Sequence, residues 1–120
     1  MKVIVAGSRS LADFGLVLEG IKTFPYQITE IVSGGSRGID LLGEDWAKQM
    51  KLPKTRFTAN WKRFGQAAGP LRNSEMAEYA DALIAIWDGK SKGTEDLIRK
   101  MQRREKVVHL LEYVDADPEP

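Results

Sequence analysis

Short runs of apolar, often β-branched residues alternate along the chain with longer stretches in which apolar residues recur every three or four positions. The first kind predicts buried strands and the second amphipathic helices. Val3-Ile4-Val5-Ala6 reads as a strand closed by Gly7-Ser8-Arg9, and residues 11 to 23 read as a helix with Leu11, Phe14, Leu18 and Ile21 inward. A second strand is expected over Ile28 to Ser33, ended by Gly34-Gly35. A second helix follows over Ile39 to Met50, with Leu42, Trp46 and Met50 on one face. Lys54 to Thr58 predicts a short third strand, and residues 59 to 69 a loop broken by Asn60, Gly65 and Gly69. Pro70 suits the first position of a helix that runs on through Leu71 to Tyr79. Ala82 to Trp87 is a continuous apolar strand, residues 95 to 105 a helix with Leu97, Ile98 and Met101 inward, and Val107 to Leu111 the last strand.

The strands are unbroken apolar runs rather than apolar–polar alternations, the pattern of strands covered on both faces. Strand and helix alternate throughout. The expected fold is therefore α/β: a Rossmann-like three-layer domain with a mostly parallel sheet of about five strands and helices on both faces. The domain is expected to span residues 1–112, with residues 113–120 an acidic, Pro-containing, frayed tail. Ligands of such sheets bind beyond the carboxyl ends of the strands, where the strand order reverses.

Composition narrows the chemistry. The 120 residues suit one domain with its own core. There is no cysteine, which removes disulfides, thiolate catalysis and cysteine-bound metals. The single histidine, His109, falls in the last strand, where a structural role is expected and no metal site can be built on it alone. The net charge of +1 announces neither a nucleic-acid nor a membrane partner. The opening MKVIVAGSRS has too short an apolar run for a signal peptide, and no stretch approaches the ~20 apolar residues of a membrane span. The cytoplasm is the expected location.

Three strands end in loops that bring glycine, a hydroxyl and a cation together just before a helix: Gly7-Ser8-Arg9, Ser33 to Asp40, and Asp88 to Thr94. Glycines let backbone N–H groups approach an anion closely, and a helix start adds unpaired donors and a favourable dipole. Arg9 and Arg37 suit bidentate phosphate contacts. Any one loop alone is better explained as an ordinary turn, with Ser36 or Thr94 capping a helix. Their convergence on one sheet edge points to a shared anion site. The candidate ligand-binding set is Gly7, Ser8, Arg9, Gly34, Gly35, Ser36, Arg37, Asp40, Arg72, Asn73, Asp88, Ser91, Gly93 and Thr94. Arg72 and Asn73 enter because a cation in a helix's first turn opposes the dipole and calls for another reason to be there. Asp40 suits a ribose hydroxyl or a helix cap. Trp61 and Phe64 suit stacking on a base or plugging the cleft's side, whereas Trp46 and Trp87 fit the core. Arg99, Lys100, Arg103, Arg104 and Lys106 form a basic run suited to a solvated helix end.

The segments VAGSRS, VSGGSRGID, AGPLRNSEMAEYADALIAIWDG and SKGT together resemble the SLOG superfamily, and within it the small stand-alone YspA-type (YAcAr) branch. The resemblance runs from Met1 to about Leu111. It implies a Rossmann-like fold with a nucleotide or nucleotide-derived ligand at the glycine-rich edge. VSGGSRGID is also similar to the glycine motif of the DNA-processing protein A family, which binds single-stranded DNA. Leu71 to Met76 and the strand after it resemble the LOG-type nucleoside monophosphate phosphoribohydrolases, whose catalytic arginine falls on Arg72. The glutamate of their PGGxGTxxE motif falls on Leu97, after a loop one residue longer. Helical geometry turns Asp96 about 100° and Glu95 about 200° from that position, so neither replaces it simply.

The expected function is binding of a nucleotide or nucleotide-derived small molecule, as a sensor, sequestering or processing module. Two alternatives are N-glycosidic cleavage of nucleoside monophosphates, with Arg72, Glu75 and Glu95 as catalytic candidates and Asp40 and Asp88 as further carboxylates, and an accessory role on single-stranded nucleic acid, bound weakly. No cofactor is expected, with Mg²⁺ arriving only on a nucleotide's phosphates. No membrane partner is expected, and pairing of two copies through the helix after the fourth strand is left open.

Overall fold

The computed structural model describes residues 1–113. The sequence-predicted acidic tail, apart from Tyr113, lies outside them. The elements are β1 (Lys2–Gly7), a 3-10 turn (Arg9–Leu11), α1 (Phe14–Thr23), β2 (Glu30–Ser33), α2 (Ile39–Gln49) and β3 (Lys54–Arg56). A short α3 (Trp61–Phe64) and a 3-10 turn (Gly65–Ala67) lead into α4 (Ala68–Tyr79), β4 (Ala82–Trp87), α5 (Lys92–Arg103) and β5 (Val107–Glu112).

The five strands form one sheet in the order β3-β2-β1-β4-β5, and every pairing is parallel. The central pair aligns Val3 with Ala82 and Gly7 with Ile86. Right-handed crossovers running outward through β2 and β3 put α1 and α2 on one face, and those through β4 and β5 put α4 and α5 on the other. The core follows this division. Ile4, Ala6, Val32, Leu83 and Ala85 meet Met76 and Ala77 of α4 and Leu97, Ile98 and Met101 of α5. On the opposite face Val5, Ile31 and Ile86 meet Val17 of α1 and Ile39 and Ala47 of α2. Trp87 packs against the first cluster and Trp46 against the second. His109 is structural: its ring meets Thr23 Oγ1 at 2.7 Å and stands edge-on to Phe24.

Several expected boundaries move, each for a local reason. Residues 59–69 are not a loop: Asn60, expected as a breaker, caps α3 by accepting from the Arg63 N–H at 3.0 Å, and helical turns continue into α4. Pro70 is consequently the third residue of α4, tolerated there because first-turn N–H groups have no partner within the helix. Helix α1 begins at Phe14 because Asp13 caps it, accepting from Gly15 N–H at 2.8 Å. Val17 and Gly20 are its buried residues, Leu16 and Ile21 pack against the core partly buried, and Leu18 is exposed. Met50 lies past the end of α2 and is exposed as well. Helix α5 starts at Lys92 rather than residue 95, capped by Ser91 and not by Thr94. Helix α2 is entered through Gly38, with φ of 87° and ψ of −124°, a backbone open essentially to glycine; Ser36 is not its cap.

Of the basic run, Lys100, Arg104 and Lys106 tie helix to helix, while Arg99 and Arg103 stay exposed as expected of a solvated face. Lys100 Nζ donates to the Pro70 carbonyl and Asp96, and Lys106 Nζ to the carbonyls of Ala77 and Glu78. No helix among the described residues is long and apolar enough to cross a membrane.

Gly43 gives a test of how closely α2 lies on the sheet. Replacing a mid-helix glycine by alanine ordinarily stabilises by roughly 0.5–1 kcal/mol. Here an added Cβ would come within 2.8 Å of Val5 Cβ, on the central strand. Gly43→Ala is expected to destabilise instead, by about 1–3 kcal/mol as for other overpacked cores, read from the midpoint of urea unfolding.

Candidate functional site

At the carboxyl edge of the sheet, where β1 and β4 lie side by side, a cleft of about 580 Å³ opens. That volume lies within the roughly 300–1,000 Å³ of small-molecule sites. Five segments wall it: the β1 loop with Gly7, Arg9 and Ser10; Ser36 and Asp40 from the β2 loop and α2; Trp61; Gly69, Pro70, Arg72, Asn73 and Met76 of α4; and the stretch from Asp88 through Ser91 to Leu97.

Ser8 and Asp88 knit the two central loops together. Ser8 is buried; its N–H donates to the Ile86 carbonyl, and its Oγ accepts from Asp88 N–H at 2.9 Å. Asp88 in turn accepts from the N–H groups of Lys90 and Ser91 at 2.8 Å each and from Ser10 Oγ at 3.0 Å. The backbone donors of Ser91 and Lys90, with the Ser8 and Ser10 hydroxyls, hold the Asp88 carboxyl far below the usual carboxylate range. Ser8 is thus a brace behind the cleft rather than part of its wall.

On the β2 side, Ser33 Oγ donates to the buried Glu44 at 2.6 Å, and Arg56 grips Glu44 from the surface through Nε at 2.9 Å and Nη2 at 2.6 Å. Burial pushes the Glu44 carboxyl up, but the hydrogen bonds from Arg56 and Ser33 outweigh it and leave it lowered. Gly35 lies beside the Arg56 side chain, away from the cleft lining. Arg72 Nη1 donates to the Gly34 carbonyl at 3.0 Å and to Ser36 Oγ at 3.4 Å. Its Nε is buried with no acceptor among the described residues. An orphaned buried donor costs about 1–3 kcal/mol, so tethering the loop is a poor sole reason for this arginine. It stands in the second turn of α4, since that helix starts at Ala68, and the expected conflict with the helix dipole does not arise. Asp40 is buried beside it, accepting from Ser36 N–H at 3.3 Å. Burial pushes its carboxyl up to about 6, against the opposing pull of the Ser36 and Gly7 N–H groups and the Arg72 charge.

Asn73 is buried and already committed as a donor: Nδ2 bonds the Gly93 carbonyl at 3.1 Å and Asp96 Oδ2 at 3.0 Å. It fixes α4 to the start of α5 and leaves only its carbonyl oxygen for anything in the cleft. Asp96 also pairs with Lys100 at 2.9 Å. In α5, Ser91 Oγ reaches Thr94 N–H at 3.5 Å, while the N–H groups of Lys92 and Gly93, in the opening turn, have no intrahelical acceptor. Nothing stands within 4 Å of where a Gly93 side chain would be.

Ten of the expected ligand-binding residues therefore line one cleft: Gly7, Arg9, Ser36, Asp40, Arg72, Asn73, Asp88, Ser91, Gly93 and Thr94. Ser8, Gly34 and Gly35 shape it from behind. Arg37 does not belong to it; it is exposed, one residue before the glycine that turns the chain into α2. Glu75 is exposed on α4 and outside the lining. Glu95 pairs with Arg99 in a smaller surface hollow beside Lys92 and Arg103. Phe64 is exposed outside the lining, whereas Trp61 is part of it. Among the wall residues that the candidate set left out are Ser10, Met76, Lys92 and Asp96, besides Ala6, Gly69, Pro70 and Leu97. Helical spacing carried the signal for three of them: Lys92 and Asp96 are four apart on α5, and Met76 lies one turn beyond Arg72.

The model of the YspA, cpYpsA-related SLOG family matches residues 1–64, just over half of the chain. The chain belongs to the YspA, cpYpsA-related SLOG family. The gene 61 protein of Mycobacterium phage D29 is 32% identical over 112 residues, covering 85% of this chain and 89% of that protein. No solved structure matches the chain. The family match takes in the β1 and β2 loops, and is shorter than the span to Leu111 that the motifs suggest; Arg72, Asn73 and α5 lie beyond it.

The buried carboxyl of Asp40 yields a pH prediction. Its folded-state pKa of about 6 is above the ordinary value of 3.8, so between these values the folded chain binds more protons than the unfolded one. Its contribution to stability therefore falls as pH rises from about 4 to 6 and is flat above. Glu44, lowered, works in the opposite direction. The difference between wild type and Asp40→Asn isolates Asp40. The variant is expected to be the more stable at pH 7, by up to about 3 kcal/mol for a two-unit shift, and to lose that advantage near pH 4, measured by urea unfolding across pH 4–8.

Proposed function

We propose that this cleft binds a nucleotide or nucleotide-derived small molecule through its phosphate and sugar. The observation that carries the reading is the convergence of three cations, Arg9, Arg72 and Lys92, with the open first turn of α5 on one cleft, where two of the three lining carboxylates, Asp88 and Asp96, are already taken up by the loop backbone and by Lys100 and Asn73. Arg9 and Lys92 form no ion pair among the described residues, and Arg72 keeps Nη2 unused. The phosphate would sit against the N–H groups of Lys92 and Gly93, with the hydroxyls of Ser91 and Thr94 beside it. The carboxylate of Asp40 and the carbonyl oxygen of Asn73 would accept from sugar hydroxyls. Any magnesium would arrive on the ligand's phosphates.

Binding suits this arrangement better than cleavage. Where LOG-type enzymes carry their glutamate, Leu97 is 2% exposed and belongs to the core cluster. Of the carboxylates in the lining, Asp88 and Asp96 are engaged by the loop backbone and by Lys100 and Asn73, which leaves Asp40, beside Arg72, as the one acid that a cleavage reaction could draw on. A positioned acid–base group contributes roughly 10²–10⁴-fold to such a reaction. A nucleoside monophosphate incubated with the protein is expected to be recovered intact by chromatography, and ready release of free base would refute this part.

Binding itself is tested by thermal shift with a panel of nucleoside phosphates, cyclic nucleotides and ADP-ribose-type compounds at millimolar concentration. At least one is expected to raise the melting temperature, since a ligand bound only to the folded state stabilises it by mass action. Arg9→Ala should leave the ligand-free protein unchanged, because this exposed side chain makes no hydrogen bond or ion pair among the described residues. It should weaken binding roughly 10- to 100-fold, the worth of a charge-assisted hydrogen bond. No shift across the panel would overturn the reading.

A further inference from the structure

One aromatic side chain on the cleft is placed with care although the core does not use it. Trp61 lines the cleft and yet is 56% exposed, and it belongs to none of the buried clusters. Its position is nonetheless built. Asn60 caps the short helix that carries it. The indole lies on the first turn of α4 at Gly69, where an added Cβ would meet Trp61 Cη2 at 3.2 Å. Gly69 does not have a positive φ, so no backbone conformation calls for glycine there. Glycine weakens a helix relative to alanine. Room for the indole is what the missing side chain provides.

The chemistry of that wall differs from the rest of the cleft. Trp61, Gly69 and Pro70 bring no side-chain hydrogen-bonding group except the indole N–H. The charged and polar groups stand elsewhere, at Arg9, Asp40, Arg72 and the start of α5. A ligand that matches both has a flat, apolar ring at one end and an anion at the other.

We infer that Trp61 is the stacking platform for the aromatic base of a mononucleotide, which is recognised by the face of its ring and not by its edge. This rests on the reading of the cleft as a nucleotide site. Stacking favours the larger ring system, so purines bind better than pyrimidines. It is blind to edge pattern, so adenine and guanine bind within a few-fold of each other.

The test compares AMP, GMP, CMP and ribose 5-phosphate by calorimetric titration of the full chain and of Trp61→Ala and Trp61→Phe. AMP and GMP are expected to bind about 5- to 150-fold more tightly than ribose 5-phosphate, the worth of one base stacked on an aromatic ring. Trp61→Ala should bring them down to the ribose 5-phosphate level and leave ribose 5-phosphate itself unchanged. Trp61→Phe should keep most of the preference, and AMP should quench indole fluorescence in the wild type but not in Trp61→Phe. Equal binding of AMP and ribose 5-phosphate, unaffected by Trp61→Ala, would overturn the inference while leaving the phosphate site standing. Tighter binding by Trp61→Ala would make the indole a plug and overturn it too. So would Trp61-dependent binding of single-stranded DNA far tighter than that of any mononucleotide. Failure of all four probes to bind would overturn it, and the reading of the cleft falls with it when the wider panel of nucleotides gives no thermal shift either.

Discussion

Everything at the carboxyl edge of this sheet depends on one constraint: β1 and β4 are hydrogen-bonded neighbours, but the chain leaves them toward opposite faces. The loop after β1 leads to α1 on one side and the loop after β4 leads to α5 on the other. A crevice between them is unavoidable, since no crossover covers it. Backbone polar groups at such an edge need partners. Ser8 and Asp88 supply them by bonding the two loops to each other, which fixes how far the crevice opens.

Around that crevice the buried charges are arranged in two opposed settings. Glu44 sits behind the β2 loop with Arg56, Lys54 and Ser33 all directed at it, so its burial is compensated. Asp40, one turn earlier on α2, has only the Ser36 and Gly7 N–H groups and the neighbouring Arg72 charge, and burial wins. A helix carrying both carboxylates one turn apart thus presents a structural anion to the loop and a reluctant, cleft-facing acid to the crevice.

The opposite wall owes its rigidity to the contact between α4 and α5. Asn73, Lys100 and Lys106 each bridge from one helix to the other or to the turn beyond it, largely through backbone carbonyls. Met76, Leu97 and Met101 fill the space beneath. Arg9 and Lys92, on the cleft side, form no ion pair among the described residues.

The order of strands and helices, the apolar strands and the glycine-bearing loops were all legible along the chain, because each depends on neighbours a few residues apart. Buried parallel strands write themselves as runs such as Ala82 to Trp87, and helix faces as three- and four-residue spacings such as Leu97, Ile98 and Met101. The resemblance of VSGGSRGID and its companion motifs likewise named the family that the comparison bears out. Caps were harder: Asn60 and Ser91 start helices that composition alone reads as loop, since the same polar side chains serve turns and caps equally well. Which candidates share a wall was decided only in three dimensions. Arg37 carries the same side chain as Arg9 and Arg72, but one residue later Gly38 turns the chain into α2 and Arg37 is left in solvent. Glu75 and Glu95 lie within three residues of wall positions, yet helical rotation carries both off the cleft. Asp40 and Glu44 are both acids on one helix, and it is the hydrogen bonds from Arg56 and Ser33 with the Arg56 and Lys54 charges that make Glu44 the stronger, while burial dominates at Asp40. A residue type states what chemistry is available locally; distance, burial and the partners brought in from remote strands decide whether it is used, because solvation and Coulomb energy depend on spatial neighbours and not on sequence ones.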